Sequence, residues 1–574
     1  MSEETRVYWI AGAAGATVLA ILWLTGAVAG ALFGSGWAPI TLDQLLFAAI
    51  RLTSHLDSPR AAWPHGVGHN LPGAIGFYST LAAVSAALAS IAYFARQVLD
   101  RLGIGLPLTG GAKQAPSARM ATRRDLQLLR VPSPQPGRLT LGRRGGMLLA
   151  AEERQSVIVF APTQTFKTTG FVIPSALEWN GPMLITSIKT DVLSATLARR
   201  QAMGEVHVFD PAHVTEMPRS RATPLWGATS WRGATRVAHW LVGASNIVGA
   251  GGIQDAQFWA SMAEKLLAPL LFAAATNDRT VSQVVRWLDE GPEASEAEVT
   301  GLLEDSGVGD ALRAWRATLN REERQRSSVY TTAEVAVQAF SDPYVIEETA
   351  GSDYTPTTLL DGGANTLYLC APEHEQERLA PLFSMLVQEL LAVVAESTAA
   401  TGKPLDPPLL LLLDEAATIA PIPNLDKVAA TVAGQGIQLL TIVQDFSQLS
   451  AIYGRRAPTA VNNHAAKIVG SGIADPETTT YFSRIVGTAR FEQFSQTAGE
   501  KGRRSKTEGE THRDLLPASA QRETEPGSGL LVYRHLPPTN FSLRVWFEER
   551  KLRELQHVSR SNRRVRRQSR GPRP

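Results

Sequence analysis

A chain of 574 residues, 44% of them hydrophobic, is long enough for about three to four domains with ample core. Its single cysteine, Cys370, excludes an internal disulfide, and the setting NTLYLCA points to a buried strand thiol in a reducing compartment. The formal net charge of +2 conceals an asymmetry, because 550–574 carries nine Arg and one Lys against one Glu and leaves about −7 (+2 minus +9) for everything before it. Such a tail reads as a solvated, disordered end; contact with nucleic acid or anionic lipid is the sharper alternative.

Taken in chain order, Val7–Phe33 is uncharged, almost wholly apolar and long enough to span a bilayer. A cleaved signal peptide fits poorly, since the positive n-region is nearly absent and the apolar run too long. Ala74–Ala95 is a second uncharged run with Phe77, Tyr78, Tyr93 and Phe94 near its ends, as in an interfacial aromatic belt. The pair predicts a transmembrane hairpin over 1–100, with 34–73 as the extracytoplasmic loop. Arg96, Arg101, Lys113, Arg119, Arg123 and Arg124 follow closely, so the positive-inside rule puts the long C-terminal part in the cytoplasm. Residues 101–146, rich in Gly, Pro, Arg and Ser, read as a linker that finishes in a small strand pair around Arg138–Leu149.

From Ser156 the pattern becomes α/β. Ser156–Phe160 is a short apolar strand, and after it Ala161, Pro162, Thr163, Gln164, Thr165, Phe166, Lys167, Thr168 and Thr169 form a loop that opens a helix. Strand, tight loop and helix-opening Lys-Thr is the geometry of a phosphate loop: backbone N–H groups cradle phosphate, Lys167 reaches its terminal end and Thr168 holds Mg²⁺. The pattern G-x-x-x-x-G-K-[ST] is broken by Ala161 and Phe166 at its glycines. Strands at Pro182–Ser187 and Val206–Asp210 flank a helix, Val192–Met203, and complete a first nucleotide-binding part over 147–229. Strands then stop, and 230–354 shows helical periodicity in Phe258, Trp259, Met262, Leu266 and Leu270 and again in Val281, Val284, Val285 and Leu288. That stretch reads as an inserted all-α domain whose aromatic stripe is core.

Strands return over 355–549, beginning with Thr366–Ala371 and a long helix from Arg378 to Glu396. Leu409–Leu413 is the most apolar run of this part and ends in Asp414-Glu415; a strand buried on both faces delivers such carboxylates to the edge where α/β proteins bind ligands. Gly436–Val443 ends in Gln444, Lys467–Ser471 follows, and Gly529–Tyr533 and Phe541–Phe547 finish the sheet. Arg490–Ala518 reads as a mobile surface loop. Downstream of a Lys-Thr loop, Asp414 is the expected Mg²⁺ ligand, Glu415 the general base and Gln444 the sensor of the terminal phosphate, so Lys167, Glu415 and Gln444 are the catalytic candidates.

Leu409–Gly454, LLLLLDEAATIAPIPNLDKVAATVAGQGIQLLTIVQDFSQLSAIYG, resembles the Walker B region of type IV secretion coupling proteins, the TraG/TraD class. Ser187–Val192, SIKTDV, resembles the second-strand signature, with Lys189 and Asp191 matching and Ser187 where an Asp is usual, and Asp255–Trp259, DAQFW, resembles the start of the helical domain. The resemblance covers roughly Ser156–Glu548. It implies an α/β, RecA-like P-loop NTPase with a mostly parallel sheet, helices on both faces, an inserted all-α domain and an N-terminal two-helix membrane anchor. It further implies a multi-pass protein of the inner (cytoplasmic) membrane, a homo-hexamer using ATP and Mg²⁺. The implied partners are DNA, relaxase-bound in conjugation, together with relaxosome or type IV channel proteins. Arg378, Arg455 and Arg456 are arginine-finger candidates. Two other functions compete: a non-hydrolysing docking platform, suggested by the replaced glycines, and a septal double-stranded-DNA translocase, which would bring a longer linker and a winged-helix reader not recognised in this sequence. Lys167 and Glu415 are expected to face solvent, and Phe166 either to relax out of the left-handed region or to carry strain.

Overall fold

The computed structural model describes residues 3–37, 40–101, 117–187, 190–249, 256–498 and 504–557. The chain divides into two compact units, Met1–Ala115 and Pro116–Pro574. In the first, the helices Glu3–Phe33 and Ala74–Arg101 pack along each other. Within them Gly15–Phe33 and Ala74–Ile91 are long and apolar enough to cross a membrane. The stretch between them is a small folded cap, with a helix Leu42–Leu52 and single turns at Pro59–Ala62 and His65–Gly68. Leu45, Ala48, Trp63, Leu71 and Phe77 form its core, with Trp63 and Phe77 edge to face at 5.2 Å.

The second unit is built on a 12-stranded sheet. Its strands are β1 (Arg130–Val131), β2 (Thr140–Arg144), β3 (Met147–Ala150), β4 (Val157–Phe160), β5 (Met183–Ser187), β6 (Val206–Phe209), β7 (Thr366–Cys370), β8 (Leu409–Leu413), β9 (Ile437–Val443) and β10 (Ala466–Gly470). After a separate ribbon, β11 (Thr488–Ala498) with β12 (Arg504–Asp514), it is completed by β13 (Ser528–Tyr533) and β14 (Thr539–Ser542). The order is β1-β3-β2-β14-β13-β10-β4-β9-β8-β5-β7-β6. From β10 to β6 every pairing is parallel; from β13 to β1 the pairings are antiparallel. Strands β4, β5, β7, β8, β9 and β10 are buried along their whole length, which is why they read as unbroken apolar runs. Alternate residues serve the two faces: Ile158, Phe160, Leu184 and Leu411 belong to one core, and Val157, Val159, Ile185 and Leu412 to the other. Cys370 lies in this sheet as a buried free thiol, pushed up to about 12 by burial.

Between β6 and β7 every regular element among the described residues is helical, from Trp231–Gly249 to Pro356–Leu359. Their apolar stripe, including Leu266, Leu270, Val284 and Leu288, merges with the core under β5 and β8. Ala256–Thr276 and Glu373–Thr401 are also long and apolar enough for a membrane, yet their windows are 61% and 78% buried in this core, which accounts for their composition.

The expected mobile loop at Arg490–Ala518 is corrected: β11 and β12 pair antiparallel from Thr488↔Asp514 to Ala498↔Arg504, and a short helix, Ala518–Arg522, follows. Neither strand carries an apolar face, so no alternation announced the ribbon. Of the expected linker, 102–116 lies outside the described residues, while β1 and β2 carry part of the remainder into the sheet. Of the expected basic tail, Arg550–Gln556 is helical and 558–574 lies outside the described residues, as do Lys189 and Asp255.

Candidate functional site

Strand β9 lies between β4 and β8, so the C-terminal ends of three parallel strands meet at one edge. At the end of β4, Ala161 N–H donates to the Val443 carbonyl of β9 at 3.0 Å, and the loop lifts away from there. Thr165 Oγ1 donates to the Pro162 carbonyl at 2.7 Å and closes the turn. Gln164 and Phe166 are left-handed, with φ of +64° and +63°. Phe166 therefore keeps the backbone of the glycine it replaces, and strain rather than relaxation is the outcome, at roughly 1–3 kcal/mol for such a residue. Gly170 N–H donates to the Phe166 carbonyl at 2.7 Å. The opening turn Thr168–Val172 is a π turn that leads into the helix Ile173–Glu178. Pro174 accounts for the widening: it has no N–H for the Gly170 carbonyl, and its ring would clash there in a regular α turn.

At the end of β8, Thr186 Oγ1 donates to the Asp414 carbonyl at 2.8 Å, and Glu415 turns the chain with φ +51°. Its carbonyl accepts from Thr418 and Ile419 N–H at 2.9 and 3.0 Å. The two strand ends then join through side chains. Lys167 forms a buried ion pair with Glu415, Thr168 Oγ1 donates to Asp414 Oδ2 at 3.3 Å, and Gln444 Nε2 donates to Glu415 Oε2 at 3.3 Å. Lys167 is 9% exposed and Glu415 3%, which corrects the expectation that both face solvent. They close on each other in the floor of a cavity of about 780 Å³.

That cavity is lined by 163–169, Asp414, Glu415 and Gln444, so the candidates are brought together, except that Ala161 and Pro162 do not reach it. Ser187 and Asp191, quoted above for the second-strand signature, line it too. The residues missed are Glu373, His374, Gln376 and Glu377 after β7, Thr418, Gln448 and Phe547. No local motif marks them; they arrive because β7 pairs with β5 and because the segment after β14 folds back. Gln376 is 3% exposed with Nε2 unpartnered, a donor left for a ligand. None of the arginine-finger candidates lines the cavity: Arg378 pairs with Glu375 and Asp342, and Arg456 with Asp426. The Thr168 hydroxyl and Asp414 carboxylate are hard oxygen donors of the kind Mg²⁺ takes alongside phosphate and water, so the donor set fits that ion.

A strand-borne phosphate-type loop, a carboxylate pair one strand away and Gln444 on the strand between them define an α/β, RecA-like NTPase fold. The family model described as Type IV secretory system Conjugative DNA transfer matches residues 117–566, and the chain belongs to that family. It is 25% identical over 434 residues to conjugal transfer protein TraG of Escherichia coli, covering 66% of this chain and 65% of that protein. To VirD4 of Agrobacterium fabrum it is 24% identical over 372 residues, covering 64% of this chain and 54% of the relative. The match thus spans less than two thirds of either relative. Among solved structures, the conjugative coupling protein TrwB in a trigonal form with sulphate superposes with a TM-score of 0.55 at 16% identity, covering 75% of this chain and 94% of that one. TrwB with ADP and Mg²⁺ gives 0.54 at the same identity, with the same coverage of both chains.

Proposed function

We propose that this chain is a type IV secretion coupling protein, a membrane-anchored ATPase that recruits DNA or a DNA–protein substrate to a secretion channel and drives its translocation. The observation that carries the reading is the convergence of Lys167, Thr168, Asp414, Glu415 and Gln444, from three strand ends, on one cavity. In this reading the amides of 163–169 hold a triphosphate, Lys167 binds its terminal end, Thr168 and Asp414 hold Mg²⁺, and Gln444 senses the terminal phosphate. Mg²⁺, when bound, neutralises charge on the phosphate oxygens. Glu415 orients the attacking water and takes its proton. The Lys167–Glu415 pair orders these events: phosphate that draws Lys167 away releases Glu415 to act as base, so the base is armed only with substrate present.

The same reading takes Gly15–Phe33 and Ala74–Ile91 as two membrane spans, with 34–73 outside and the second unit in the cytoplasm. Exposed Phe33, Ile75, Ile91, Tyr93 and Phe94 give those helices an apolar surface suited to lipid. It takes 230–354 as an inserted helical lobe, the working assembly as a homo-hexamer, and relaxase-bound DNA and channel proteins as partners. TrwB structures in complex with ADP and Mg²⁺ and with non-hydrolysable ATP and GTP analogues support nucleotide as the ligand class.

The test is ATP hydrolysis by the full-length protein in detergent, with and without DNA. DNA-stimulated turnover that Glu415→Gln abolishes is the expected result. Nucleotide binding without turnover would support the docking-platform reading instead.

A further inference from the structure

We infer that Phe547 is the platform on which the base of the bound nucleotide stacks, a base subsite that rests on the nucleotide reading above. The segment after β14 folds back along the helix opened by the phosphate-type loop. Trp546 N–H donates to the Thr169 carbonyl at 3.1 Å, and a Cβ built on Gly170 would stand 3.0 Å from Leu543 Cβ. A side chain at Gly170 would therefore press on the strap.

The strap is anchored from behind. Arg544, 4% exposed, donates to both carboxylate oxygens of Glu178 at 2.7 Å and to Glu549 Oε2 at 2.7 Å. Arg143 of β2 donates to Glu549 Oε1 at 2.8 Å. Glu178 ends the helix that follows the loop, so the strap and that helix are fixed as one piece. Trp546 is partly buried against the core that includes Val157 and Ile185 and meets Phe547 edge-on at 5.8 Å, leaving Phe547 45% exposed on the cavity wall.

The polarity of the site gives that ring its role. Lys167, Glu415 and Gln444 mark the terminal-phosphate end, so the α-phosphate and sugar lie past Thr168 and the base beyond them, where the strap touches Thr169. Phe166, the other exposed phenyl ring of the cavity, precedes Lys167 and stands at the phosphate end. A fixed, half-exposed aromatic ring that lines a cavity offers a π surface that any purine can cover. The ligand class is a nucleoside triphosphate read by the face of its base.

Isothermal titration of the full-length protein in detergent with Mg²⁺ tests this, using ATP and inorganic tripolyphosphate as separate probes. Phe547→Ala is expected to weaken ATP about tenfold while leaving tripolyphosphate unchanged, and Phe547→Tyr to keep wild-type ATP affinity. Unchanged ATP affinity in Phe547→Ala, or equal loss of both probes, would overturn the stacking role while leaving the phosphate site standing. Failure of the wild-type protein to bind either probe would remove the nucleotide reading and this inference with it.

Discussion

The loop 161–169 and the turn at Asp414–Glu415 face each other across one cavity, and both pass through left-handed backbone without glycine. Gln164, Phe166 and Glu415 have φ of +64°, +63° and +51°. They differ in how that conformation is held. The turn is tied to its neighbours by Thr186 on the Asp414 carbonyl, by Ala416 N–H on the Ile442 carbonyl at 3.0 Å, and by two amides on the Glu415 carbonyl. The loop is closed by Thr165 and Gly170 and braced from outside by Trp546. Glycine is the easy way to reach such backbone, and bracing is the other; a consensus motif records only the first.

The largest expected effect removes the side chains that bridge the two regions. Lys167→Ala and Glu415→Gln should each lower ATP turnover by about 10²–10⁴-fold in a phosphate-release assay. Lys167→Ala also leaves the buried Glu415 carboxylate without its cation, so that variant should lose about 3–5 kcal/mol in thermal unfolding. The double variant Lys167→Met, Glu415→Gln should regain much of that stability and none of the turnover. Equal stability in Lys167→Ala and the double variant would show that the pair does not couple loop and turn.

The external brace comes next. Arg544→Met strands the buried carboxylate of Glu178 and should cost about 3 kcal/mol, because breaking a buried pair exceeds the worth of an exposed one. Burial raises the Glu549 carboxyl, but Arg544 and Arg143 outweigh it and hold it down to about 2. Its contribution is present above the ordinary value near 4.5 and disappears as pH falls toward 2. An unchanged melting temperature for Arg544→Met at pH 7 would mean that the strap does not brace the loop.

The comparison itself is tested by Phe166→Gly. The folded loop already holds φ +63°, so relief of left-handed strain acts on the protein before and after nucleotide binds; it should raise the melting temperature and leave ATP affinity unchanged, whereas the same change at the internally tied Glu415 should bring no gain in stability. A melting temperature no higher in Phe166→Gly than in the wild type would sink the strain argument.

The smallest effect lies beneath the loop. His464, fully buried between β9 and β10, donates from Nδ1–H to the Ala460 carbonyl at 2.8 Å and accepts from the Thr441 hydroxyl at Nε2, 3.0 Å away. Burial pushes its pKa down to about 4. The unfolded chain therefore takes up a proton near 6.5 that the folded protein refuses, and stability falls as pH drops from about 6.5 to about 4. At pH 5.5 the loss is about 1 kcal/mol. His464→Gln should flatten that slope in pH-dependent unfolding; an unaltered slope would assign the acid sensitivity to other groups.

How much of this was legible in the sequence follows from range. Leu409–Leu413 and Ser156–Phe160 are doubly buried strands, so their apolar runs, and the Asp414, Glu415 and Lys167 that follow them, could be read locally. Gln444 was placed because its strand was found, although only the sheet order sets it between the other two. The wall at Glu373–Glu377 and the strap at Leu543–Glu549 depend on partners far away in sequence, such as Arg143 and Glu549, 406 residues apart. The buried Lys167–Glu415 pair depends on a contact of the same kind across 248 residues. The β11–β12 ribbon escaped for another reason: two polar strands that pair only with each other leave no periodic signature.

The strap also sets a schedule for translation. Glu549 is added 383 residues after Phe166 (549 minus 166), which at about 5–20 residues per second is on the order of 20–80 s. Throughout that interval the nascent loop has its lysine and threonine but neither the Trp546 bond nor the Arg544 anchor. A ribosome that stalls between Gln444 and Leu543 therefore leaves a chain that has its loop and its carboxylate turn but lacks the strap that braces them.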